Sequence, residues 1–205
     1  MGCFALAALD AGSFVPHVGW RFVVLDAFAI STLGYPPYHP RNRAAWEMLD
    51  AHNPNDCTRQ DIDLSQGMTG VDSRWMPYNG AHGEEQLAWL ETTLGEAKAA
   101  GERVVVLTHV GVCPGVCDDD TLAWDYDKVL ALLHGPAGKG VVAAVLSGHD
   151  HKGGYVRDGE GIHHLTFKAP LETPPPAGCH AIVEVSDRAL LVRGYGRQES
   201  RLLLL

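Results

Sequence analysis

The chain has 205 residues, 46% hydrophobic and 20% charged, with a mean hydropathy of -0.06, the balance of a soluble globular domain large enough to bury a core. Its net charge of -9 argues against nucleic-acid and anionic-membrane partners, because phosphate surfaces are held through clusters of Lys and Arg. The five cysteines, Cys3, Cys57, Cys113, Cys117 and Cys179, are odd in number and scattered, which points to reduced thiols in a cytoplasmic protein rather than a disulfide scaffold.

The first residues, MGCFALAALDAGSF, hold a short apolar run with no basic residue ahead of it, so they read neither as a signal peptide nor as a membrane span. Trp20–Leu25 (WRFVVL) is apolar and β-branched, a buried strand ending at Asp26. A Pro-rich loop leads to a helical pattern over 42–52, with Trp46 and Leu49 on one stripe and Pro54 closing it. Residues 53–80 are polar and punctuated by Gly and Pro, a long loop of the kind that carries function. Over 84–100 the spacing of Leu87, Leu90, Leu94 and Ala97 predicts a helix, with Glu84 and Glu85 in its first turn and Gly101 just past its end.

Arg103–Thr108 (RVVVLT) is a continuous apolar run, as expected of a strand covered on both faces. A helix over 122–134 and a strand over 141–147 complete a β–loop–α–β unit, whose two strands run parallel. Short strands at 155–157, 162–167, 181–185 and 189–192 then read as an antiparallel closing section.

Two of the buried strands run into histidine. RVVVLT ends at His109, and the strand over 141–147 ends at Gly148-His149-Asp150-His151. In open α/β sheets ligands gather at the carboxyl ends of the strands, so three imidazoles delivered to one edge form a candidate metal cluster. Gly148 permits the sharp turn after the strand, and that turn can send the two GHDH rings in different directions. Other features read as structural. His163 and His164 are neighbours on a strand and point to opposite faces. Asp118 to Asp120 read as a solvated loop. Trp124 and Tyr126 read as packing residues, with base stacking as their alternative use.

The ordered blocks GWRFVVLDAFAIS, YNGAHGEEQLAWL, ERVVVLTHV, LAWDYDKVL, LSGHDHKGGY and GIHHLTFKAPLETPPP resemble the calcineurin-like metallophosphoesterases. Within them the chain is most similar to the plant-type manganese-dependent ADP-ribose/CDP-alcohol diphosphatases. The resemblance covers residues 19–196, leaving an unmatched segment over 1–18 and a tail over 197–205. It implies an α/β fold, the αββα metallophosphoesterase sandwich, with two divalent metal ions: manganese first, zinc or iron as alternatives. His109 and His149 would bind one ion and His151 the other. The implied reaction is hydrolysis of the diphosphate bond of a small nucleotide-diphosphate substrate such as ADP-ribose or CDP-choline.

One departure is specific. In the family an Asp-x-His motif, a Gly-Asp motif and a Gly-Asn-His motif precede the first block, and this chain contains no Gly-Asp and no Asn-His dipeptide. Asp50-Ala51-His52 lies on a helical pattern and does not replace the first of them. The expectation is therefore a carboxyl-terminal part of the fold, its amino-terminal part missing. A non-catalytic fragment that binds nucleotide or a partner is the alternative, and a phosphoesterase with a different substrate is a second one.

Overall fold

The structure is a computed structural model that describes residues 11–205. In chain order these form β1 (Gly12–His17), β2 (Trp20–Leu25), β3 (Ile30–Ser31), α1 (Pro40–His52), β4 (Gly80–Ala81), α2 (Glu84–Ala99) and β5 (Arg103–Thr108). Then follow α3 (Tyr126–His134), β6 (Val142–Ser147), β7 (Gly154–Arg157), β8 (His163–Thr166), β9 (Cys179–Val185), β10 (Ala189–Gly196) and β11 (Arg201–Leu204).

The apolar strands do what their composition demands. β2, β5, β6 and β8 run parallel in a six-stranded sheet ordered β1-β2-β5-β6-β8-β7, with β1 and β7 antiparallel at its edges. Val104 and Val106 of β5 pack under Leu87, Leu90 and Leu94 of α2 and Val129 and Leu133 of α3. Val105 points to the other face, where it joins Trp20, Leu146 and Leu165 against Leu190, Val192 and Leu203. Those last three belong to a second, antiparallel sheet ordered β11-β10-β9. All three valines are fully buried, and each contributes roughly 1.5–3 kcal/mol by leaving water. The described residues thus stack a helical layer, the main sheet and a second sheet, a mixed α/β fold with a parallel-rich sheet.

Helix boundaries follow local chemistry. α1 begins with Pro40 behind His39, whose Nδ1 accepts from Arg41 N at 3.2 Å. α2 stops where Gly101 adopts φ 68, the left-handed position foreseen for it. α3 starts later than the sequence pattern predicts. Residues 122–124 are instead pinned by long-range backbone bonds: Leu122 forms an isolated bridge with Gly111, and Ala123 N donates to Gly111 O and Trp124 N to Gly80 O, both at 2.9 Å. The closing section is also rearranged. β7 and β8 form an antiparallel hairpin, but β8 joins the main sheet parallel to β6.

The long segment between α1 and β4 is ordered by side-chain amides rather than by repeating structure. Asn53 Nδ2 donates to Leu64 O and Trp75 O, at 3.1 and 2.8 Å. Beneath it Trp75, Trp124, Leu49 and Ala45 form a third apolar cluster.

Candidate metal centre

Because β5 and β6 are parallel neighbours, the residues after them leave the sheet at the same edge. Gly148 N donates to His109 O at 2.9 Å, stitching the two strand ends together. The ring centroids of His109 and His149 lie 5.2 Å apart, 69° from coplanar. Phe28, in the turn after β2, stands 5.5 Å from the first ring and 6.1 Å from the second. His149 has φ 69, the only positive φ among the described non-glycine residues. A left-handed conformation costs a side-chain-bearing residue about 1–2 kcal/mol. Such strain gathers at functional positions.

The turn is held from within. Asp150 is buried, with one carboxylate oxygen accepting from Asp118 N at 2.7 Å and the other from Lys152 N at 2.8 Å. His151 leaves in another direction, exposed, with Nδ1 3.0 Å from Glu172 Oε1. The structure therefore brings His109 and His149 ring to ring and sets His151 on the wall of the adjoining cleft. That cleft has a volume of about 730 Å³ and is lined by His149, His151, Tyr78, Lys152, Lys168 and Arg197 among others.

Desolvation, then repulsion from His109 and His151, lowers the pKa of His149 to about 4, against the opposing pull of Asp150 and Asp120. Desolvation, then His151, also lowers that of His109. Both rings are neutral at pH 7 and keep a lone pair for a Lewis acid. Burial and the neighbouring Asp120 carboxylate push the Tyr78 phenol far above its ordinary range, so it stays a hydrogen-bond donor, to Asp120 Oδ2 at 2.9 Å.

Other sequence candidates go elsewhere. His163 spans the two sheets, its ring nitrogens 2.8 Å from Tyr155 OH and from Leu204 O. His164 faces Asp158 at 2.8 Å. His52 stacks on Trp75 at 3.8 Å, remote in role from any metal motif. Trp124 is buried and its indole N–H donates to Met76 O, which removes it as a base-stacking surface. Asp118 and Asp120, read as a solvated loop, line the cleft, and Asp118 pairs with Lys152.

Sequence reasoning missed Asn79 and the pair His82–Asp125. Asn79 is fully buried, with Oδ1 2.7 Å from His149 Nε2. His82 is buried behind the site, its Nδ1 2.9 Å from Asp125 Oδ1 and its Nε2 3.2 Å from Thr108 Oγ1. The one signal available was position, since Asn79 and His82 lie in the YNGAHGEEQLAWL block and Asp125 in LAWDYDKVL.

Neutral imidazoles suit a divalent transition ion in kind. In number they fall short. Among the described residues no group of three or more His, Cys, Asp or Glu is arranged to hold an ion, so the site offers part of a coordination sphere.

No family model matches the chain. It is 39% identical over 187 residues to the manganese-dependent ADP-ribose/CDP-alcohol diphosphatase of Arabidopsis thaliana, an alignment covering 91% of this chain and 58% of that protein. With the protein of the same name from Oryza sativa it shares 40% over 180 residues, 87% of this chain and 54% of the relative. The chain is a homologue of these diphosphatases. The fold agrees with that of a dimetal phosphatase. The crystal structure of a dimetal phosphatase from Danio rerio superposes with a TM-score of 0.87 at 32% identity, over 96% of this chain and 60% of the other. This diphosphatase homologue thus spans a little over half the length of the curated relatives it matches.

Proposed function

We propose that the chain carries the imidazole donors of a metal-dependent phosphoesterase that hydrolyses the diphosphate bond of ADP-ribose and of CDP-alcohols such as CDP-choline. One observation carries the reading: His109 and His149 meet at the carboxyl ends of adjacent parallel strands, 5.2 Å between ring centroids, and His149 lines the adjoining cleft. His109 and His149 would serve one ion and His151 the other, with manganese as the metal by analogy with the relatives' names. These imidazoles would hold a divalent ion whose chemistry, when bound, would be to polarise a phosphoryl oxygen and lower the pKa of a water.

The chain's own residues suit a nucleotide diphosphate. Lys152, Lys168 and Arg197 line the cleft beside the carboxylates of Asp118, Asp120, Asp150 and Glu172, so the wall offers three individual cationic donors for phosphate rather than a net positive field. Each is already oriented, Lys152 by Asp118, Lys168 by Glu199 and Arg197 by the Glu172 carbonyl at 3.0 Å. The lowered pKa values of His109 and His149 keep protons from competing with a metal at neutral pH.

A second reading is favoured by the incomplete donor set among the described residues: the chain holds nucleotide without hydrolysing it. One experiment separates the two. The purified 205-residue chain is assayed with Mn(II) for ADP-ribose and CDP-choline turnover and for binding of both by calorimetry. Turnover that is lost in His109→Ala and His149→Ala supports the hydrolase; binding without turnover supports the second reading; neither overturns both.

A further inference from the structure

We propose that the open edge of β9 is an acceptor for a β-strand of a second polypeptide, whose apolar side chains cover the bare face of β1 and β2. The occupant is the part of a diphosphatase chain that lies outside its match to this one. The inference concerns assembly and stands apart from the hydrolase reading.

The first observation is main-chain chemistry. At the two ends of the β9–β10 pairing, Ser186 N donates to Ala189 O at 3.0 Å and Arg197 N to Gly178 O at 3.1 Å. Antiparallel pairs alternate between bonded and unbonded, so in the register between those ends His180, Ile182 and Glu184 are bonded to β10. Ala181, Val183 and Val185 therefore turn their N–H and C=O groups to the other side. No strand lies there among the described residues, because β9 is the last strand of its sheet.

The other edges of the two larger sheets are blunted. β1 carries Pro16 and a register irregularity between Phe14 and His17. On β11, Leu204 O accepts from His163 Nε2 at 2.8 Å. β7 is only 4 residues long. β9 runs for 7 residues without proline, lysine or irregularity. An edge left in that state is a template for pairing with another chain.

The second observation is an apolar face beside that edge. Arg201 of β11 stands 3.9 Å over the Tyr155 ring of β7, so β11 covers the β7 side of the main sheet and β9 lies towards β2. Its three strands do not reach β1. Phe22 faces the second sheet, and Phe14 stands directly opposite it on β1, stacked at 5.5 Å. On this face Phe14 is 51% exposed and Val24 37%. A strand bonded to β9 would lie above them and turn alternate side chains onto them.

The occupant follows from length. The chain spans a little over half of its curated relatives and 60% of the Danio rerio structure, so each of those proteins joins the shared fold to polypeptide with no counterpart here. A second copy fits worse. Pairing β9 with its own equivalent would drive β1 and β2 of both copies into one space, because the main sheet extends past the edge.

The full chain is co-expressed with the unmatched part of the Arabidopsis relative and recovered through a tag on the chain. Mass is measured by light scattering, and amide exchange is followed by NMR in the free chain and in the complex. In the free chain Ile182 and Glu184 should exchange slowly, and Ala181, Val183 and Val185 freely. In a one-to-one complex those three amides should become protected. Val183→Pro removes an outward N–H without touching a bond to β10, and Phe14→Asp sets a charge on the bare face. Each should lose the complex. Where Val183→Pro fails to fold, Phe14→Asp and the exchange pattern still decide.

The proposal is overturned if no complex is recovered, or if the three amides are already protected in the free monomer. A complex that leaves those amides exchanging, or that survives Phe14→Asp and a folded Val183→Pro, overturns it as well. A dimer of the free chain with the three amides protected assigns the edge to a second copy and overturns the occupant named here. Diphosphate turnover enters none of these outcomes, so its failure counts against the hydrolase reading alone.

Discussion

His149 is the residue at which conformation and chemistry pull against each other. Its φ of 69 would suit glycine, yet its ring sits against His109 and Asn79. Replacing it by glycine relieves about 1–2 kcal/mol of backbone strain and leaves the buried Asn79 Oδ1 without its partner, at a cost of about 1–3 kcal/mol. His149→Gly should therefore remain within about 2 kcal/mol of wild-type stability in urea unfolding while losing Mn(II) binding by calorimetry. A loss of several kcal/mol would instead make this ring a structural element. The meeting of His109 with His149 was legible in the sequence, because each follows an apolar run that could only be a buried strand. Asn79 was not. Its importance comes from two backbone carbonyls supplied by residues 74 and 120, and no periodicity or spacing encodes such a meeting of loops.

Between elements, the decisive group is Asp125. It was read as an interior position of a helix over 122–134, and instead it precedes α3 without capping it by its side chain. Its carboxylate is used elsewhere: Oδ2 accepts from His82 N at 2.9 Å and Gly83 N at 3.0 Å, and Oδ1 faces His82 Nδ1. One buried carboxylate thereby fixes the entry to α2, the start of α3 and the imidazole behind Thr108. Burial alone would raise its pKa, but the His82 charge and these hydrogen bonds outweigh that and lower it. Asp125→Ala strands two backbone N–H groups and a ring nitrogen in the interior and should destabilise the chain by about 3–5 kcal/mol in urea unfolding. Asp125→Asn, which keeps one acceptor, should cost less. Equal losses in the two variants would contradict this account. Strands β2, β5 and β6 were readable as short apolar, β-branched runs, and helix α2 by the helical spacing of its buried leucines. The start of α3 and the pairing of β8 were not, since long-range backbone bonds to Gly111, Gly80 and β6 decide them.

For the whole molecule, the lowered histidine pKa values amount to a common sensitivity to acid. His164 illustrates it away from the proposed site. Its Nε2 and that of His134 both reach Asp158 Oδ2 at 2.8 Å, tying the end of α3 to the β7–β8 hairpin. The side chain is buried and its Nδ1 has no partner among the described residues. Desolvation lowers its pKa below 6.5 despite the neighbouring carboxylate. As pH falls through 6.5 the unfolded chain therefore takes up a proton before the folded one does. Stability is full above that pH and is lost as pH drops towards the folded value. His109 and His149 are shifted in the same direction and add to the slope. Asp158 differs: its lowered pKa, set by the two histidines against a desolvation that would raise it, keeps its contribution until pH falls below 3.8. Unfolding in urea at pH 8, 6.5 and 5 should thus give a falling series for the wild type. His164→Leu removes the unpaired nitrogen and one hydrogen bond, so it should sit within about 1–2 kcal/mol of wild type at pH 8. It should then lose less stability than wild type on the way to pH 5. Parallel curves for the two proteins would mean that His164 is protonated equally in both states, and that the acid sensitivity arises wholly at the strand ends.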